Sequence, residues 1–195
     1  MSKRVILITG TPCIGKTSVA RFLTTKLDAY YLNLTDLATS ENLILGKDKK
    51  RNSLIVDEVK MKRRIAKIIT NSKKQNLIID GHYAAVVVPS KSVTRVFVLR
   101  RDPVELRKFM TLSGYSNRKL YENLGSEILD ICLVDALTTV GPAKVCEINA
   151  TGKTVEETGE EILFLLNHPD DCAVGIVDWL GKLEGEGLLD EYLKT

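Results

Sequence analysis

Apolar residues fall in short continuous runs separated by stretches with helical spacing. Val5-Ile6-Leu7-Ile8 has strand length, and Val19-Ala20-Arg21-Phe22-Leu23 lies in a helix expected over residues 16 to 27. Tyr30-Tyr31-Leu32 reads as a second short strand and Asp36-Leu37-Ala38 as the opening of a small helix, followed by a polar stretch to Asn52. From about Ser53 to Asn71 the positions Ile55, Val56, Val59, Ile65, Ile68 and Ile69 recur mainly at helical spacing and predict one helix. Asn76 to Asp80 is a strand ending in an acid, and Val93 to Leu99 is another that runs into Arg100-Arg101-Asp102-Pro103, a helix start. Ser113-Gly114-Tyr115-Ser116 interrupts the helical pattern before a long helix from about Arg118 to Leu137. Lys144 to Ile148 gives one more strand, Ala150-Thr151-Gly152-Lys153 a turn, and Val155 to Leu166 a further helix.

Continuous apolar strands alternating with helices predict a parallel sheet covered on both faces, a three-layer α/β fold. The 195 residues suffice for one substantial core, and we expect a single domain with a C-terminal extension over about 169 to 195 after His168-Pro169. That extension holds the sole tryptophan, Trp179, which is expected to pack. A composition 44% hydrophobic and 27% charged argues against both a disordered chain and membrane residence. Lys3 and Arg4 lead at once into a strand, unlike a secretory signal, so the cytoplasm is the expected location.

Between the first strand and the first helix stands Gly10-Thr11-Pro12-Cys13-Ile14-Gly15-Lys16-Thr17, a full G-x-x-x-x-G-K-T phosphate loop. Such a loop points backbone N–H groups at a polyanion, and Gly10 and Gly15 stand where the backbone approaches phosphate or needs positive φ. Lys16 can reach the β- and γ-phosphates of ATP, the Thr17 hydroxyl can ligate Mg²⁺, and Ser18 can touch the α-phosphate. Asp80, at the C-terminal end of an apolar strand, has the position of a Walker B acid that orients Mg²⁺. His82, two residues on, is placed to orient a water or meet the γ-phosphate side. The tetrad Thr25-Lys26-Leu27-Asp28 falls at a helix end and cannot read guanine in the GTPase manner.

Residues 47 to 74 carry eleven Lys or Arg against three acids, whereas residues 154 to 195 carry eleven acids against Lys182 and Lys194. A basic stretch beside a nucleotide site fits a second nucleotide or RNA, or simply a solvated helix face. Four cysteines, Cys13, Cys132, Cys146 and Cys172, form no C-x-x-C pair, so a structural zinc site is not expected. Cys13 is either an oxidisable thiol beside Lys16 or a small residue tolerated by the loop.

The ordered motifs Gly-Thr-Pro-x-x-Gly-Lys-Thr, Asn33-Leu34-Thr35-Asp36-Leu37-Ala38, Val56-Asp57-Glu58, Asp80-Gly81-His82, Phe97-Val98-Leu99-Arg100, Gly114-Tyr115 and Glu122-Asn123 span essentially the whole chain. In this the chain resembles adenylate kinase isoenzyme six, a family that includes the coilin-interacting nuclear ATPase and archaeal relatives. The resemblance implies a P-loop NTPase fold of the nucleoside monophosphate kinase kind, with a monophosphate-binding insertion at about 33 to 56 and a lid at about 112 to 122. It implies adenylate-type kinase and ATPase activity, and a role in small ribosomal subunit maturation through a ribosomal protein of the platform and rRNA. Carried over by position, Gly10, Cys13, Gly15, Lys16, Thr17 and Ser18 bind ATP, Asp80 and His82 form the Walker B motif, and Lys153 lies near the adenine. Asp36, Asp57, Arg100 and Arg118 are the expected contacts of AMP or another monophosphate acceptor.

The family's lid commonly reads Arg-Leu-x-x-x-Arg-Gly-Tyr, and this chain has Phe109 and Ser113 at the two arginine positions, with Thr39 at another. Arg107, Lys108, Arg118 and Lys119 are the neighbouring cations available as replacements. Three readings follow: a monophosphate kinase, an assembly factor that hydrolyses ATP, and an inactive nucleotide-binding module.

Overall fold

A computed structural model describes residues 3–48 and 53–194. Five strands, β1 (Arg4–Thr9), β2 (Tyr30–Asn33), β5 (Asn76–Asp80), β6 (Arg95–Arg100) and β7 (Val145–Asn149), form one wholly parallel sheet in the order β2-β5-β1-β6-β7. Residues 5 to 9 of β1 and 77 to 80 of β5 are buried throughout, as expected of strands covered on both faces. On one side Leu7, Leu77, Ile79 and Val98 pack with Met61 and Ile65 of α3 (Glu58–Asn71), Ala84 of α4 (Ala84–Val87) and Leu133 of α7 (Ile131–Val140). On the other, Ile6, Ile8, Phe97 and Ile148 pack with Leu23 of α1 (Lys16–Lys26), Leu106 of α5 (Pro103–Leu112), Leu124 of α6 (Asn117–Ile128) and Ile162 of α8 (Val155–Asn167).

Helix starts are set by side-chain caps. Asn33 accepts from the Thr35 and Asp36 amides to begin α2 (Leu34–Ser40), Asp102 caps α5 with Pro103 at its first position, and Thr154 and Glu157 form a reciprocal capping box on α8.

The structure corrects the expected elements in two places. The polar stretch and the start of the expected 53–71 helix instead form an antiparallel hairpin, β3 (Ile44–Asp48) with β4 (Ser53–Val56); residues 49 to 52, within that stretch, lie outside the described residues. Asp57 caps the helix that follows, accepting from the Lys60 amide at 3.0 Å, so α3 begins five residues later than its apolar period predicts. The expected 118–137 helix is two, α6 and α7, broken where Asp130 adopts φ +58 and turns its carboxylate onto Arg100. The tail continues through α9 (Trp179–Gly185) and α10 (Leu189–Tyr192), and Glu147 of the edge strand β7 donates its N–H to Ala173 at 2.9 Å, which draws the tail along that edge. Trp179 is buried, as its apolar neighbours imply.

Candidate active site

A parallel sheet directs the carboxyl ends of its strands to one edge, and β1, β2, β5 and β6 deliver Thr9, Asn33, Asp80 and Arg100 there. The phosphate loop leaves β1 at this edge. Three of its residues hold positive φ: Gly10 at +134°, Cys13 at +65° and Gly15 at +104°, the last as the N-cap of α1. A side chain at Gly10 would place its Cβ 2.5 Å from the Leu99 carbonyl oxygen, so only glycine lets the loop turn against β6. The exposed Thr17 and Ser18 occupy the first turn of α1, where unpaired N–H groups and the helix dipole favour an anion.

Lys16 arches back and donates through Nζ to the Thr11 carbonyl at 2.8 Å. Burial lowers its pKa, and the Asp80 carboxylate is the strongest opposing influence. Asp80 itself is 1% exposed and its Oδ2 accepts three hydrogen bonds: from Thr17 Oγ1 at 2.7 Å, Asn33 Nδ2 at 2.9 Å and the Tyr31 hydroxyl at 3.0 Å. A buried carboxylate so well satisfied stays in one orientation. Thr17 Oγ1 and the Asp80 carboxylate are hard oxygen donors in contact, and such a pair suits Mg²⁺, which keeps water and phosphate in most of its octahedral positions. Among the described residues no group of three or more His, Cys, Asp or Glu side chains could hold a metal ion, so any protein-only cage is absent there.

His82 lies beyond Asp80 with its edge open to a cleft of about 540 Å³ between the phosphate loop and α6, lined by Pro12, His82, Tyr115, Lys119, Glu122, Asn123 and Ser126. The residue is exposed at the cleft, yet the walls that flank its ring keep water from its charged form and, with the Lys16 ammonium second, push its pKa down to about 4, so the imidazole is neutral at physiological pH and can accept or donate one hydrogen bond. Its backbone carbonyl accepts from Thr9 Oγ1 at 3.1 Å, which ties the β5–α4 loop to the end of β1.

Thus Gly10, Cys13, Gly15, Lys16, Thr17, Ser18, Asp80 and His82 converge. The remaining expected contacts are spread out. Asp36 is exposed on α2 and faces a separate hollow of about 300 Å³ with Tyr31, Asn33 and Arg64. Asp57 serves as the N-cap of α3 and is paired with Lys60 at 3.2 Å. Arg118 pairs with Glu122 at 2.7 Å beside Tyr121 and Lys194, in a hollow adjoining the cleft. Lys153 pairs with Glu161 at 2.7 Å on the β7–α8 turn, whose Gly152 amide is held by Glu105 of α5.

Arg100 requires a correction. Instead of facing an acceptor it is 2% exposed, and its guanidinium is taken up by Glu127 at 2.9 Å, Glu147 at 2.5 Å and Asp130. Burial opposes its charge, but the Glu127 and Asp130 carboxylates outweigh that cost and its pKa is raised. It cross-links β6, β7 and the α6–α7 break. Sequence reasoning missed Tyr31, Thr11 and Glu127. For Glu127 a signal existed: it shares the buried face of α6 with Leu120, Leu124 and Ile128, where an acid needs partners.

Kinship with known proteins is plain at the level of sequence. Residues 6–130 match the AAA domain family model. A protein of Thermococcus kodakarensis named "Putative adenylate kinase" is 35% identical over 175 residues, 90% of this chain and 92% of the relative. Proteins of the same name from Pyrococcus furiosus and Methanocaldococcus jannaschii are 37% and 32% identical, covering 90% and 91% of this chain and 91% and 93% of theirs. Among solved structures, thymidylate kinase from Candida albicans superposes with a TM-score of 0.59 at 14% identity, covering 87% of this chain and 93% of its own. A gluconokinase from Sinorhizobium meliloti gives 0.51 at 14% identity over 85% of this chain and 93% of its own. These likenesses fix the fold as that of the P-loop NTPases. The chain therefore belongs to the AAA domain family and to the archaeal group that carries the adenylate kinase name.

Proposed function

We propose that the chain is an ATP-dependent nucleoside monophosphate kinase of the adenylate kinase type, converting ATP and AMP to two ADP with broad acceptor tolerance and some ATP hydrolysis. The observation that carries this is the contact of Thr17 Oγ1 with the buried Asp80 carboxylate at 2.7 Å, beside Lys16 and below a loop of positive-φ residues. Supporting it are relatives that bear the adenylate kinase name over nine-tenths of the chain.

In this reading the loop amides and the α1 N-terminus hold the triphosphate, and Lys16 releases the Thr11 carbonyl to meet the β- and γ-phosphates. An acceptor phosphate oxygen attacks the γ-phosphorus while the bond to the bridging oxygen of ADP breaks. Mg²⁺ would neutralise charge on the transferring group, with Thr17 and Asp80 as its protein side. Neutral His82 orients the attacking oxygen or a water from the cleft floor. The insertion over about 33 to 56, comprising α2 and the β3–β4 hairpin, serves as the monophosphate-binding part and residues 112 to 122 as the lid of a single kinase domain. Asp36 and Arg118 border hollows on either flank and are assigned to the acceptor, and Lys153 to the adenine side.

A second reading, an ATPase acting in small ribosomal subunit maturation on a ribosomal protein or rRNA, is favoured by two features. Phe109 and Ser113 stand exposed where the family of isoenzyme six carries phosphate-clamping arginines, and Phe109 lies under the Arg101 guanidinium at 5.1 Å. The exposed Lys60, Lys62, Arg63 and Lys67 of α3 offer a surface for a polyanion. Both readings place the protein in the cytoplasm. No helix of the described residues is long and apolar enough to cross a membrane.

The deciding experiment measures ATP consumption with Mg²⁺, alone and with AMP, CMP, GMP or UMP, with products resolved by chromatography. Two ADP per ATP with AMP supports the kinase, and ADP with free phosphate whatever the acceptor supports the ATPase. Lys16→Ala should abolish either; turnover retained in that variant would refute the site.

A further inference from the structure

Glu127 is a buried ionisable group that the proposed chemistry leaves unused, and its bonds run in opposite directions. Its Oε2 accepts from Thr11 Oγ1 at 2.6 Å, inside the phosphate loop. Its Oε1 accepts from Arg100 Nε at 2.9 Å, the Arg101 amide at 3.1 Å and the indole Nε1 of Trp179 at 3.1 Å. Thr11, Glu127 and Trp179 are 1%, 2% and 7% exposed, so these bonds form away from water. The Thr11 carbonyl in turn accepts from Lys16. One run of hydrogen bonds thus joins α9, the buried carboxylate, the phosphate loop and Lys16.

We infer that Glu127 is a positioning residue for the nucleotide site, and that through it the C-terminal extension holds the phosphate loop in register, with Trp179 as the tail's contact to that carboxylate. The inference rests on the ATP-binding reading above. A loop with three positive-φ residues needs an external clamp to hold one shape, and the clamp here is a carboxylate fixed by the Arg100 guanidinium. Another fixture of the tail, the Ile176 amide on Glu147 Oε2 at 2.9 Å, reaches the same guanidinium from β7. The nearness of Glu127 also favours the charged form of Lys16. When Lys16 leaves the Thr11 carbonyl for a phosphate, the change is felt at Thr11, hence at the carboxylate on which the indole rests.

Because Trp179 is the sole tryptophan, its emission reads this coupling directly. The full chain is titrated with Mg²⁺-ATP while emission is followed, and ATP binding is measured in parallel by equilibrium dialysis. A saturable emission change with the dialysis midpoint is expected. Thr11→Val, which keeps the volume and removes the hydroxyl, should weaken ATP binding and raise its KM about tenfold, the scale of one hydrogen bond to a charged group. The same variant should silence the emission change, and Thr11→Ser should restore both. If Thr11→Val does not fold, Trp179→Phe decides, with a several-fold rise in KM for ATP expected and an unchanged KM overturning the inference. Dialysis that shows binding while emission stays flat, or Thr11→Val binding ATP as the parent does, overturns the inference and leaves the nucleotide site standing. Absence of ATP binding to the parent by dialysis overturns both.

Discussion

Gly10→Ala and Gly125→Ala make the same chemical change with opposite expected signs. At Gly10 an alanine would have to hold φ +134°, a backbone conformation that costs an L-residue about 1–3 kcal/mol. Its Cβ would sit 2.5 Å from the Leu99 oxygen, and Leu99 cannot retreat because β6 is held between β1 and β7 in the middle of the sheet. Relieving such an overlap costs a further ~1–3 kcal/mol. The reduced freedom of the unfolded chain returns only ~0.4–1 kcal/mol, so the net loss is about 1–5 kcal/mol. At Gly125, within α6, the new Cβ would lie 3.5 Å from Leu193 Cδ2, an ordinary contact, and the helix gains about 0.5–1 kcal/mol. For a chain of this size the first change lowers the thermal midpoint by roughly 10 °C and the second raises it by about 2 °C. Circular dichroism melts and urea titrations read both. ATP binding by dialysis should be lost in Gly10→Ala even below its melting range. A Gly10→Ala variant that melts with or above the parent would refute the assignment of this glycine to a close approach of loop and strand.

Three further outcomes follow from Arg100 and His82. Arg100→Met leaves Glu127 and Glu147 buried without their cation and should cost about 3–5 kcal/mol in chemical denaturation, and a loss below ~1 kcal/mol would show that Arg100 is not the structural cross-link described. With its pKa near 4, His82 is neutral across the working pH range, so the rate profile should show no inflection near 6.5 that disappears in His82→Gln. The unfolded chain takes up this proton near 6.5 and the folded chain only near 4, so the His82 contribution to stability is complete above 6.5 and is lost as pH falls from 6.5 toward 4. Melts at pH 4.5 and 7 should differ less in His82→Gln than in the parent.

By itself the sequence determined the elements whose signals are local. The strand–loop–helix around Gly10 to Thr17, the acid ending β5, and the Asp102-Pro103 helix start were legible because steric demands on φ, capping and apolar periodicity act within a few residues. The β3–β4 hairpin was not, because Gly46, Lys47 and Asp48 are poor strand formers that become a strand only by pairing with Ile55, Leu54 and Ser53. Nor was the break between α6 and α7, since nothing in the apolar period announces that Asp130 will leave the helix to reach Arg100. The fate of Arg100 itself was decided in three dimensions. A cation at a strand end faces solvent and ligand by default, and it turned inward here because α6, β7 and the α6–α7 break bring Glu127, Glu147 and Asp130 to it from 27, 47 and 30 residues away. Periodicity reports which face of an element is buried. Which charges meet on that face depends on the packing of distant segments, and only the tertiary structure supplies it.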